Sequence, residues 1–422
     1  MSAGTASVGL SRDTVAHAPA SPPAWARRAA DALLAFTVIS IPLSTSGMQT
    51  GVVALAALAV AAAVGRWGIV RRTPLDGTLA LLFAALVLST LASGDPLRAG
   101  GWTRLWIAIG YPVFFWWIRD RAHAVRLARL LVLVAACVAA YGIVQHVTGI
   151  DVYRAALGRE TAVLPRGPGH SGYAVVGFFS NYLTFAHLMI FPLAFAGALA
   201  LRADRLGLVA APLVAGVLIL STARGAWLAA LAVAIALLLT ARARSSLPAL
   251  GAVVVAVALA FALRPDLRDH AARMFLPSGE NTGRVGIYRA NLEIIHDHPV
   301  LGLGFGRYKR AATPYYDRHP EADRRSHAHS NYLQIAAEAG LVGLAAFALL
   351  WAHALRLGWT ALARAPDAAV ASAATGAWAA LAGFLVGGIT QYTFGDNEVA
   401  LTMWVTVAIL MRLVPTRDAG SA

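Results

Sequence analysis

Residues 206–241 read LGLVAAPLVAGVLILSTARGAWLAALAVAIALLLTA. Two apolar runs, 206–222 and 225–241, flank a turn whose only charge is Arg224. At about 1.5 Å of helix per residue, each run covers most of a hydrocarbon core of about 30 Å. The pair therefore reads as a helical hairpin in lipid. Working outward, the same kind of block recurs at 30–47, 49–65, 76–92, 103–118, 125–147, 180–200, 247–263, 333–355, 368–390 and 397–413. The first two are parted only by a tight turn around Gly47–Thr50. Only 13% of the 422 residues are charged, about half the usual supply, and the mean hydropathy is +0.64. The expected architecture is an all-α polytopic membrane protein with about 12 transmembrane helices.

A net charge of +14 and a pI of 10.8 could suggest a nucleic-acid binder. Lys309 is the only lysine, however, and the arginines sit between apolar blocks, as in a membrane protein with a basic cytoplasmic face. With the N-terminus inside, the short cytoplasmic connections hold Arg66, Arg71, Arg72, Arg119, Arg121, Arg126, Arg202, Arg205, Arg242, Arg244, Arg356 and Arg364. The opposite turns hold chiefly Arg98, Arg104 and Arg224. Both termini are thus expected in the cytoplasm. Residues 1–24 read as a disordered tail rather than a cleaved signal, 25–263 as helices 1–9, and 148–179 as an outward loop. A larger outward loop, 264–332, separates helices 9 and 10; helices 10–12 fill 333–415, with 416–422 as the cytoplasmic tail. In a Gram-negative cell the outside would be the periplasm. The single cysteine, Cys137, lies in an apolar block, so no disulfide framework or thiolate metal site is expected.

Ionisable residues are scarce within the spans. His187 and His353 are the clearest, neither with an obvious acidic partner. A transporter would place charges or broken helices near the midplane, so chemistry is expected at the outer ends of helices instead.

Three polar constellations stand out. The first is the turn Ser221-Thr222-Ala223-Arg224-Gly225-Ala226-Trp227, which puts a guanidinium at headgroup depth on the less basic side. The plain alternative is a snorkelling side chain; the chemical one is a planar fork that matches phosphate oxygens. The second runs from Gly283 and Arg284 through Tyr288 and Asn291 to Asp297-His298-Pro299, then Gly302, Gly304 and Gly306. Val285 to Ile295 has helical spacing ended by Pro299, and the glycines would let the backbone approach a ligand; they follow no strand, which argues against a dinucleotide site. The third is His329-Ser330-Asn331-Tyr332-Leu333-Gln334, followed by Glu338, Gly340, Leu341, Gly343 and Leu344. It sets a histidine just before the tenth span, although a lone histidine is more often structural.

In order and spacing, residues 210–350 resemble the O-antigen ligase family of bacterial inner membranes. Tyr288 stands where the family commonly has Trp, and Ser330 where Asn is usual. The resemblance implies a GT-C-type glycosyltransferase that moves polysaccharide from undecaprenyl diphosphate to a hydroxyl of lipid A-core. It implies Arg224, Arg284 and Arg289 on the diphosphate and His329 as the base that deprotonates the acceptor, with Arg224 and Arg284 also catalytic. Arginines that neutralise the leaving diphosphate could replace a general acid, and single displacement would invert the anomeric centre. No cofactor or metal is expected. Asp396-x-Glu398 and Glu321-x-Asp323 have spacings a divalent ion could use, but exposed acids without metal are the commoner case. A polymerase of the same superfamily is the nearest alternative. A lipid-linked glycan transporter and a protein-targeting oligosaccharyltransferase rank below it, the latter because such relatives carry a sizeable C-terminal domain. The sugar, the acceptor hydroxyl and the oligomeric state are not legible.

Overall fold

A computed structural model describes residues 21–94, 106–165, 172–241, 279–322 and 327–415, with Ala262 and Arg268. Among the described residues twelve helices carry the architecture: α1 (Ala24–Ser40), α2 (Thr45–Val64), α3 (Asp76–Ala92), α4 (Gly110–Trp117, continuing a 3₁₀ turn Trp106–Ile109), α5 (Arg121–Thr148), α6 (Tyr182–Ala200), α7 (Arg205–Ser221), α8 (Arg224–Thr240), α9 (Gly279–Asp297), α10 (Asn331–Ala363), α11 (Ala368–Thr390) and α12 (Asn397–Leu413). All but α9 overlap expected spans, but the turn between the first two falls at residues 41–44 and not at Gly47–Thr50, which lies inside α2, because the Ser44 side chain caps that helix at Gly47 N–H. The span expected at 247–263 lies, Ala262 apart, outside the described residues. By length and composition, α2, α5, α6, α10 and α11 can each cross a membrane, whereas α3, the 106–117 helix, α7 and α8 are shorter apolar helices. The fold is therefore an all-α membrane bundle, and among the described residues the only strand-like pairing is an isolated bridge between Pro165 and Tyr173.

Polar residues start the helices where the apolar runs begin. Asp120, Asn181, Asp204, Ser330, Asp367 and Asp396 each accept a backbone N–H of the following first turn through their side chains. Those bonds satisfy amides that have no partner inside the helix. The α12 helix is buried on every side from Val399 to Met411, so the bundle closes around it. Small residues let α11 approach its neighbours: a Cβ on Gly376 would strike Phe195, and one on Gly383 would strike Val233 and Ile190. The outward faces are apolar instead. Val60, Leu133, Leu231 and Leu239 are all more than half exposed, as a lipid-facing surface requires.

The α10 helix is bent at Gly340, whose φ of 65° and ψ of −169° belong to a region essentially closed to other residues. The amides released by the bend are taken up by the preceding loop: Leu341 N–H donates to Pro299 O at 2.8 Å and Val342 N–H to Val300 O at 3.4 Å. In return Leu303 N–H donates to Ala337 O and Gly304 N–H to Glu338 O, while Gly306 N–H donates to the buried Glu338 carboxylate at 3.1 Å. Gly302, Gly304 and Gly306 all have positive φ, and the close backbone approach is to the protein itself: Gly302 lies against the α10 backbone at Ala337 and Glu338, and Gly304 against Ser93 of the segment after α3.

The large loop has its own small core. Ile287, Ala290 and Ile294 of α9 pack with Tyr308, Ala312, Tyr315 and Tyr316 from two short helices, 308–311 and 313–316. Buried Asn291 and Tyr308 hydrogen-bond each other, and Tyr308 also meets Tyr316 at 2.8 Å. Burial pushes the Tyr308 phenol far above its usual range, and it stays neutral. The amphipathic spacing of α9 is thus explained, and the helix ends at Asp297, two residues before Pro299.

Candidate functional site

The three polar constellations meet at one end of the bundle, around the last turn of α11 and the residues after it. The hairpin turn arrives first. Thr222 closes α7 in the left-handed conformation (φ 55°), Ala223 is buried, and Arg224 opens α8. Gly225 is pressed so tightly against α11 and α6 that a Cβ would lie 2.5 Å from Thr390 Oγ1 and 3.3 Å from His187 Nε2. Only glycine fits without displacing a neighbour. Trp227 ties the turn to the preceding helix by donating from Nε1 to Leu218 O at 3.0 Å.

The α9 helix brings the second group. Arg284 and Tyr288 are four residues apart and share a face. The Tyr288 hydroxyl reaches Ile389 O on α11 at 3.5 Å, and Arg284 stands close enough to act on the charge of both Tyr288 and His187. Burial raises the Tyr288 phenol above its usual range while Arg284 pulls it back, so it is a neutral donor at physiological pH. Arg289 lies on another face of α9, where its guanidinium pairs with Glu321 at 3.4 Å. The structure therefore brings the turn that carries Arg224, and the Arg284 guanidinium, near His187 and α11, and turns Arg289 toward Glu321.

The third group enters at the start of α10. His329 itself has a left-handed backbone (φ 49°), uncommon outside glycine and strained by its neighbours' needs. Those needs are visible in the residues that follow. The Ser330 hydroxyl caps the helix at Leu333 N, and Asn331 grips the turn after α11 through Thr393 Oγ1 (3.1 Å) and Phe394 N–H (2.8 Å). Tyr332 donates to Leu385 O at 2.8 Å, and Gln334 accepts from Ala328 N–H at 2.7 Å. Asn331 and Tyr332 thus hold the α10–α11 junction, while Ser330 and Gln334 fix the entry to α10. His329 Nδ1 lies 3.1 Å from Gln391 Oε1, and its ring stands 4.4 Å from that of His327.

His187, Thr390, Gln391 and Tyr392 complete this end of the bundle. Sequence reasoning gave His187 no role and passed over Gln391. The signal available was the polar run Gln391–Glu398 between two apolar spans. His187 Nδ1 is held by Leu183 O at 2.8 Å, while its Nε2 is buried with no hydrogen-bond partner among the described residues.

The acids of the same turn differ from the solvated pair expected. Asp396 accepts from the Thr184 hydroxyl and Glu398 from the Thr45 hydroxyl, both at 2.7 Å, joining α12 to α6 and α2. Burial, with Glu398 beside it, pushes the Asp396 carboxyl up to about 7. Glu398 also edges a polar cleft of about 230 Å³ that Arg154, Arg159 and Asn181 line. Glu321 is committed to Arg289 and His319, and Asp323 lies outside the described residues. Among the described residues no three His, Cys, Asp or Glu groups gather as metal ligands.

This is a helical membrane protein with a candidate arginine–histidine site at one end of its bundle. Residues 208–348 match the family model described as O-antigen ligase, a stretch that begins in α7, ends in α10 and includes Arg224, Arg284, Arg289 and His329. Over that stretch, about a third of the chain, the sequence is similar to the O-antigen ligase family. No curated protein matches the sequence.

Proposed function

We propose that the chain is an O-antigen ligase that transfers polysaccharide from undecaprenyl diphosphate to a hydroxyl of lipid A-core. The observation that supports this reading is that three segments distant in sequence approach the end of α11: the Arg224 turn through Gly225 against Thr390, α9 with Arg284 near His187, and His329 against Gln391. The two guanidinium groups hold the donor diphosphate and spread the negative charge that develops as the sugar–oxygen bond breaks. His329 takes the proton of the acceptor hydroxyl as its oxygen attacks the anomeric carbon from the opposite side. The diphosphate leaves as an anion held by the arginines, and the anomeric centre inverts. Arg289 contributes charge at longer range from its place beside Glu321. No metal or cofactor is needed, because arginine does the electrostatic work.

Topology follows from the arginine bias: about 12 spans, both termini in the cytoplasm, and the site at the periplasmic face of the inner membrane. The long loop then lies where both lipid-linked substrates present their headgroups.

The test is reconstitution. Purified protein in proteoliposomes, given polymer-loaded carrier lipid and lipid A-core, should yield polymer-bearing lipid A-core and free undecaprenyl diphosphate. Elongation of carrier-linked repeats without transfer to lipid A-core would make it a polymerase. Movement of intact donor across the bilayer with no new linkage would make it a transporter.

A further inference from the structure

The end of the bundle opposite the candidate site holds a second basic cleft. It forms where the start of α1, the Gly65–Arg71 connection, the end of α4 and the last turn of α12 meet. The axis of α12 separates the two sites: Asn397 stands beside the first and Arg412 lines the second, about 23 Å away at about 1.5 Å per residue. The cleft holds about 390 Å³, within the roughly 300–1,000 Å³ typical of small-ligand sites.

Its lining is cationic and aromatic. Arg27, Arg71, Arg119 and Arg412 face it with Trp67 and Trp116, and Asp31 is the single acid. Asp31 pairs with Arg119 at 3.2 Å, which leaves an excess of guanidinium charge. Arg71 and Arg412 stand over the same Phe115 ring, 5.9 Å and 5.1 Å from its centre. Arg412 donates from one end to the Arg119 carbonyl, while its Nε is buried with no hydrogen-bond partner among the described residues. Like charges gathered in this way repel unless an anion enters, and the buried donor awaits an acceptor. The tryptophans set the depth. Trp116 donates to Arg71 O at 2.8 Å, and Trp67 meets Trp25 edge to face at 5.8 Å. Indoles with one polar edge collect where headgroups meet acyl chains. A cytoplasmic arginine bias alone would scatter these charges over the surface; here four converge on one concavity.

We propose that this cleft binds the phosphate of an anionic phospholipid, with guanidinium forks on the phosphate oxygens and the indoles against the glycerol and first methylenes. The chemistry shared with free phosphate is the phosphate itself; the indoles at interfacial depth assign the lipid.

The test uses delipidated full-length protein in detergent, titrated with phosphatidylglycerol, cardiolipin, phosphatidylcholine or inorganic phosphate and read by native mass spectrometry. Wild type should retain the two acidic lipids at least tenfold better than phosphatidylcholine. Arg27→Gln/Arg71→Gln, two exposed positions, should weaken that retention about fivefold per arginine removed. Arg126→Gln/Arg205→Gln, at the same end of the bundle but outside the cleft, should leave it unchanged. Equal retention of phosphatidylcholine by wild type would overturn the proposal whatever the variants do. Equal loss in both double variants would reduce the effect to general surface charge. Binding of inorganic phosphate without lipid preference would leave a phosphate site and end the lipid assignment.

Discussion

His329 Nδ1 faces Gln391 Oε1 at 3.1 Å, so the imidazole at the entry to α10 is oriented by the residue that follows α11. A carbonyl acceptor there keeps the ring proton on Nδ1 and the basic lone pair on Nε2, the form a general base needs. His329→Ala and His329→Gln should both lower turnover by about 10²–10⁴ with donor binding retained, because an amide can replace the hydrogen bond but not take the proton. Near-wild-type ligation by His329→Gln would end the assignment. Gln391→Glu puts a carboxylate against the ring and favours imidazolium, so the acid limb of the pH–rate profile should move to higher pH. A purely structural contact would lower the rate without moving that limb. His327→Ala should be milder, since its ring flanks those of His329 and Tyr392 and accepts the His329 N–H at 3.4 Å without facing Gln391.

The arginines separate by geometry. Arg224 opens α8 beside the crowded Gly225, and Arg284 faces His187 and Tyr288, whereas Arg289 is engaged by Glu321. Arg224→Ala and Arg284→Ala should each reduce transfer by about 10²-fold or more, and lysine should rescue poorly because the planar fork is lost. Arg289→Ala should cost far less, and Glu321→Gln should resemble it. Kinetics on reconstituted enzyme decide this: equal losses for Arg224→Ala and Arg289→Ala would put the diphosphate on a different face of α9.

Contact between the hairpin turn and α11 can be tested by size alone. Gly225→Ala drives a methyl into Thr390 Oγ1 at 2.5 Å and toward His187 Nε2 at 3.3 Å. Ligation should fall while expression and detergent melting temperature change little, because the strain sits at the half-buried ends of two helices and not in the bundle core. Adding Thr390→Ala removes the nearer obstacle and should restore part of the rate. Independent, additive losses in the double variant would show that the turn and α11 are not coupled at this point.

Much of this was legible in the sequence, and the remainder failed for identifiable reasons. Apolar blocks located the helices because lipid leaves a spanning backbone no other way to satisfy its hydrogen bonds. The end of α9 was readable from Pro299, and the placement of His329 from the block that follows it. Gln391 was not readable: a neutral amide after an apolar span carries no signal until the fold sets it opposite a histidine 62 residues away. Arg289 looked equivalent to Arg284 because spacing alone cannot tell which helix face meets the bundle. The glycines after Pro299 did announce a close backbone approach, yet their partner, the bend at Gly340, was visible only once α10 was placed beside them. Asp396 and Glu398 read as solvated acids because the hydroxyls that bind them, Thr184 and Thr45, come from the far half of the chain.

The buried acid also gives the protein a pH-dependent stability with a definite sign. Asp396 titrates near 3.8 in an unfolded chain but is pushed up to about 7 in the fold, where burial and the neighbouring Glu398 disfavour its charge. Between those values the folded state holds more protons than the unfolded one, so raising the pH favours unfolding. The stabilising contribution is complete below about 4, declines as pH rises toward 7, and is flat beyond. Asp396→Asn keeps an oxygen for the Thr184 hydroxyl and remains an effective helix cap, yet it has no charge to bury. Melting temperatures measured from pH 5 to 8 should therefore fall more steeply for wild type than for Asp396→Asn, and the variant should be the more stable protein above pH 7. Thr184→Val should act in the opposite sense, removing the hydroxyl that supports the ionised form and steepening the decline. Parallel curves for wild type and Asp396→Asn would show that the carboxyl ionises freely in the fold and that the turn between α11 and α12 is open to water.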